Sequence, residues 1–138
     1  MTILKHGAWL VCVLILVFPV IAAPLHSSLS QFSENRLIWE TENYLIRIDD
    51  MGNSSYRYAV WPVESNQGDE PDLILYGGTI HRDGTGGNHY YLFQNNEYSY
   101  KCYVWRIGTC ETPGFLSVSR NDTEILNEDV VNEVFIGY

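Results

Sequence analysis

The chain predicts an all-β fold: a single antiparallel β-sandwich or small barrel of about eight strands, connected mostly as a meander. Three observations predict it. Short runs rich in Val, Ile, Tyr, Phe and Trp alternate apolar with polar residues. Clusters of Gly, Asn, Asp and Pro punctuate them about every 8–12 residues. No stretch reads as a convincing amphipathic helix.

The start of the 138-residue chain stands apart from this pattern. Lys5 and His6 precede an unbroken apolar run, residues 8–23, shorter than the ~20 residues a membrane span needs. Val20 and Ala22 are small residues at the spacing a signal peptidase reads, so residues 1–22 are expected to be a signal peptide. The Ser-rich stretch 23–35 then reads as a linker, and residues 36–138 as the secreted β domain.

Within that domain, residues 36–41 (RLIWET) and 44–49 (YLIRID) predict a first hairpin turning at Glu42-Asn43. Residues 56–61 (YRYAVW) follow as a strand that Pro62 ends. After an acidic loop, residues 72–76 (DLILY) form a short strand, and Gly77-Gly78 reads as a tight hairpin turn into residues 79–82. The glycine-rich stretch 83–88 (DGTGGN) is a further turn. Residues 89–94 (HYYLFQ) and 97–107 (EYSYKCYVWRI) pair across Asn95-Asn96, the second being the longest strand. Residues 115–120 and 124–127 make a hairpin across Asn121-Asp122. The tail, residues 128–138, is assigned to a last strand because Val, Phe and Ile dominate it.

Charge and cysteine content narrow the function. The net charge is −9, and without Lys5 seven cations face 17 acids, a balance of −10. Nucleic acid and anionic membrane surfaces both call for a basic patch, so neither is an expected partner. With Cys12 removed in the signal peptide, Cys102 and Cys110 remain, eight residues apart. In an oxidising compartment they are expected to pair, which would stabilise the fold by about 2–3 kcal/mol.

Candidate sites centre on the 83–89 segment (DGTGGNH). Its glycines allow backbone amides to approach an anion, but it lacks the Lys and the following helix of a phosphate loop, so it reads first as a hairpin turn. His81, Asp83 and His89 are the minimal set for a metal-dependent hydrolase, the alternative to a binding role. Calcium takes about six to eight oxygens; Asp83 with Asn88, or Asp49 and Asp50 beside Asn53, supply too few. No catalytic spacing stands out and no cofactor or metal is expected. Trp39, Trp61 and Trp105 with the tyrosines suit either core packing or a platform for sugar rings. Trp61, at a strand end beside the polar loop, is the one expected to meet a ligand, together with Asp83, Asn88 and His89. Asn53 and Asn121 head glycosylation-type triplets in predicted turns.

The runs YRYAVWP, EPDLILYGGTI, GTGGNHYYLFQNNEYSYKC and PGFLSVSRNDTEIL together resemble an uncharacterised family of small secreted bacterial β domains, chiefly cyanobacterial, over roughly 75 residues. That resemblance implies a periplasmic or extracellular bacterial location, where the triplets at Asn53 and Asn121 would go unused. It transfers no catalytic residue. The aromatic-x-Cys of Tyr100–Cys102 is similar to periplasmic lysozyme inhibitors of the membrane-bound and C-type kind, small β-barrels with a disulfide. The expected function is therefore a non-catalytic binding or interaction module of the cell envelope, its partner a protein or a glycan.

Overall fold

A computed structural model describes residues 24–108 and 111–137. The expected signal peptide, residues 1–22, lies outside the described residues. Among the described residues, nine antiparallel strands form one curled sheet, a half-barrel with meander topology. They are β1 (Glu34–Glu40), β2 (Tyr44–Gly52), β3 (Ser55–Pro62), β4 (Leu73–Arg82), β5 (His89–Asn95), β6 (Tyr98–Val104), β7 (Gly114–Arg120), β8 (Thr123–Asp129) and β9 (Asn132–Ile136). The sheet runs β8-β7-β6-β5-β4-β3-β2-β1-β9.

The two ends of that order are joined by the chain itself. Only Val130 and Val131 separate β8, at one edge, from β9, at the other. The Val130 amide donates to Gly114 of β7 (2.9 Å), and the Val131 amide donates to Glu40 of β1 (2.9 Å). One nearly continuous strand thus changes partners midway, and the sheet must curl for it to reach both. Side chains brace the seam. Glu128 of β8 accepts from Thr41 Oγ1 (2.6 Å) and from the Asn43 side-chain amide (2.6 Å). Trp39 Nε1 donates to Glu133 of β9 (3.0 Å).

Alternation sorts the side chains as a pleated sheet requires. The concave face carries the main core, including Trp39, Ile46, Ile48, Tyr58, Phe93 and Leu116. The expected hairpin at Gly77-Gly78 is instead a bend inside β4, which at ten residues is the longest strand. Its first half pairs with β3 and its second half with β5. Gly77 takes φ +74°, and at Gly78 an added Cβ would lie 2.1 Å from the Phe93 ring. The two glycines let one strand turn the barrel corner where the ring needs the space.

The stretch expected to be a linker is docked. Residues 24–33 cross the outer face of β1–β4, with a 3-10 turn at Ser27–Leu29. Leu29 is buried with Leu45, Ala59 and Trp61, and Leu25 packs against this cluster. Arg57 donates to the carbonyls of Leu29 (2.9 Å) and Gln31 (3.1 Å). Beneath it, Asp49 pairs with both Arg57 (2.7 Å) and Arg47 (2.8 Å), all three being buried. Serine-rich composition hides such an attachment because two leucines and backbone carbonyls make it.

Cys102 lies on the concave face of β6, opposite Tyr91 and Leu116. Among the described residues it makes no disulfide; it is fully buried, and burial pushes its thiol pKa far above the ordinary range. Cys110, its expected disulfide partner, lies outside the described residues.

Candidate functional site

The 83–89 segment borders a concavity, as a ligand loop would, but its residues divide their tasks. The Asp83 amide donates to the Asn88 carbonyl (2.8 Å), which closes the loop. Gly84 and Gly87 sit at φ +73° and +96°, conformations that disfavour side chains. Asn88 Oδ1 accepts from the amides of Arg106 (2.6 Å) and Ile107 (3.0 Å), tying this loop to the one after β6. Asp83 accepts from the Tyr103 hydroxyl. With Asp83 Oδ2 and Asn88 Oδ1 already engaged, the pair has little left to offer a calcium ion. Asp49 is likewise held by arginines, and Asp50 Oδ1 accepts from the Gly52 amide (2.8 Å).

His81 and His89 do not converge. Arg82 pairs with His89 across β4–β5, so those two share the concave face. His81, one residue away, lies on the outer face, stacked on Tyr90 with centroids 4.8 Å apart and held by Thr79 Oγ1 (2.8 Å). Among the described residues no group of three or more His, Cys, Asp and Glu side chains is placed to hold a metal ion. A one-residue offset along a strand separates what looks adjacent in sequence.

His89 faces a concavity of about 490 Å³ shared with Arg36, Ile80, Arg82 and the loop glycines. Its Nδ1 lies 2.8 Å from the Gly87 carbonyl. A carbonyl only accepts, so Nδ1 carries a proton and Nε2 is the atom that titrates. Burial lowers the His89 pKa, the Gly87 hydrogen bond opposes that shift, and the nearby Arg106, Arg36 and Arg82 charges reinforce it.

Trp61 is not a ligand platform. It is fully buried beneath the docked N-terminal stretch, with Nε1 donating to the Asp69 carbonyl (2.9 Å). Trp39 is in the core. Trp105 belongs to an outer-face ladder in which Tyr90, Tyr103 and Phe115 stack across three strands. The Tyr103 and Phe115 rings are 5.3 Å apart and within 3° of parallel. Offset rings packed side by side across neighbouring strands make the ladder read as cross-strand packing.

The site the sequence concealed lies at the other end of the half-barrel, beside the open part of the seam. Tyr44, Tyr58, Tyr98 and Tyr100 line a cavity of about 370 Å³, walled by aliphatic side chains of β3, β4, β7 and β8. No hydrogen bond to any of the four hydroxyls is made among the described residues. Desolvation raises the Tyr58 pKa well above the ordinary phenol value. Ile125 and Leu126 of β8 form one wall, and among the described residues no strand pairs with the outer edge of β8. The alternating tyrosines at 98 and 100 were the only sequence signal, and they read equally well as core.

Comparison of the chain with family models, with curated proteins and with solved structures finds no match in any of the three.

Proposed function

We propose that this chain is an exported, non-catalytic binding domain whose partner is a protein of the cell envelope. An extended segment of the partner adds to the free edge of β8 and places an apolar side chain in the tyrosine-lined cavity. The observation that carries this reading is the apolar cavity opening directly beside an unpaired strand edge. Main-chain pairing with an edge supplies affinity, and pockets for alternate side chains supply specificity. The four tyrosine hydroxyls offer polar contacts to orient what enters. Glu124, Glu128 and Asp129 make β8 acidic, so the segment it accepts is basic. Export rests on the apolar start of the chain, and the apolar cavity beside the β8 edge supports a binding role.

The test uses the mature chain as bait against an envelope extract and against a library of basic extended peptides. Ile125, more than half exposed at the rim, is replaced by Arg. Capture is expected with the parent and to fall by about 30-fold, the loss of one hot-spot contact, in Ile125→Arg. Hydrogen exchange should show new protection of β8 amides on binding. A glycan array positive for the parent, with no peptide or protein capture, would move the assignment to a glycan; unchanged capture by Ile125→Arg would remove the cavity from the binding site.

A further inference from the structure

We propose that the concavity beneath the 83–88 loop binds a compact oxyanion, a phosphate, sulfate or carboxylate group, through Arg36, Arg82 and His89. It lies at the opposite end of the half-barrel from the tyrosine cavity and shares no lining residue with it.

The first ground is where an acidic chain keeps its few cations. Arg47 and Arg57 are spent on Asp49. Arg120 pairs with Glu97 (3.1 Å), and Lys101 sits over the Tyr90 ring. The three remaining cations of the described residues are Arg36, Arg82 and Arg106. They arrive from β1, β4 and the loop after β6, and the charges of all three bear on His89. Glu34 and Glu133 pair with Arg36 and Arg106, so Arg82 is the one of the three without a carboxylate partner among the described residues, and an anion bound beside it would feel all three positive charges.

The second ground is the donors left over. Arg36 gives one terminal nitrogen to Glu34 (3.0 Å) and also interacts with the Tyr91 hydroxyl, while its Nε is buried with no partner. Arg106 lies 3.8 Å from Glu133, beyond hydrogen-bond reach, and its second terminal nitrogen is also buried and unpartnered. Arg57 Nε is orphaned as well, so the orphans alone decide nothing. What distinguishes this end is that Arg82 makes no ion pair or side-chain hydrogen bond among the described residues, and that Nε2 of His89 is also uncommitted there. The guanidinium fork matches the paired oxygens of a carboxylate, sulfate or phosphate. Nearby carboxylates do not answer Arg82: Glu34 and Glu133 pair with Arg36 and Arg106, and Asp83 is held by Tyr103. The left-handed glycines at 84 and 87 keep the rim free of side chains.

The probes are inorganic phosphate, sulfate and acetate, titrated into isotope-labelled mature protein with chloride holding ionic strength constant. Saturable shifts are expected at His89 and at the amides of Gly84 and Gly87 with at least one of the three, and which one binds identifies the oxyanion. Arg82→Gln, an exposed position that leaves the core untouched, should weaken binding by about tenfold, and Arg36→Gln should do likewise. Arg120→Gln should leave it unchanged. The proposal is overturned if none of the three anions gives a saturable response, or if folded Arg82→Gln binds as the parent does. Either result leaves peptide capture at β8 intact, so the two readings fail separately.

Discussion

Replacing Asp49 with Asn tests the buried charge cluster that fastens the N-terminal stretch to the barrel. The carboxylate is about 1% exposed and faces Arg57 at 2.7 Å and Arg47 at 2.8 Å; it also accepts from Asn35 at 3.0 Å. Asn nearly preserves the shape but removes the charge, leaving two guanidinium groups buried without a counterion. Breaking a buried pair in this way costs about 3–5 kcal/mol. In a domain of this size about 4 °C accompanies each kcal/mol, so Tm should fall by roughly 12–20 °C. Urea unfolding gives the free energy directly, and an unchanged m-value shows that the native state kept its compactness. Arg57→Met discriminates further. Alone it strands the other side of the pair, whereas in the Asp49→Asn background it removes an already unpaired charge, so its cost there should be smaller by at least about 1 kcal/mol. A loss below about 1 kcal/mol for Asp49→Asn, or strictly additive costs, would refute the cluster as the fastening.

Two further outcomes are expected. Gly78→Ala should destabilise by about 1–3 kcal/mol in urea titration because its methyl meets the Phe93 ring, and Phe93→Leu should recover part of that loss. Gly77→Ala, in open space but left-handed, should show only the backbone cost of about 1–2 kcal/mol and no such recovery; rescue of both by Phe93→Leu would contradict the corner geometry. The Cys102 thiol should resist an aromatic disulfide reagent in the folded protein and react on unfolding without reductant; a silent unfolded protein would instead show the bond to Cys110 that the sequence suggests.

The strands were legible because period-2 alternation and turn chemistry are local. Tyr44, Ile46 and Ile48 face one side as the alternation requires, and the turns at Asn53, Asn96 and Asn121 adopt the positive φ that asparagine tolerates. What escaped was set by curvature and by distant partners. Gly77-Gly78 has the composition of a hairpin, and only the Phe93 ring from the next strand makes it a bend. Trp61 stands beside a polar loop in sequence, yet Leu29, about thirty residues earlier, helps to cover it. The sites divide the same way. The loop at 83–89 was visible from its glycines and His89 does line a concavity there, but Arg36 joins from a bulge in β1 that no local pattern marks. The tyrosine cavity gathers side chains from β2, β3, β4, β6, β7 and β8 at one end of the half-barrel, a convergence that exists only once the sheet has curled.

The strand that changes partners also fixes an order of assembly. Leu37 lies opposite Ile136, so the outer side of β1 waits for residues almost a hundred positions later. Among the described residues every other pairing joins sequence neighbours and can form as a succession of local hairpins. Closure is therefore the step with the longest loop to organise, and it follows the rest. Until it happens, β1 offers an open row of amides and carbonyls flanked by the surface that will become the core, the arrangement most apt to pair with another chain. The interval between completing the eighth strand and seating the ninth is when this protein is most exposed to aggregation, and a substitution that slows β9 would lower its yield before it lowered its stability.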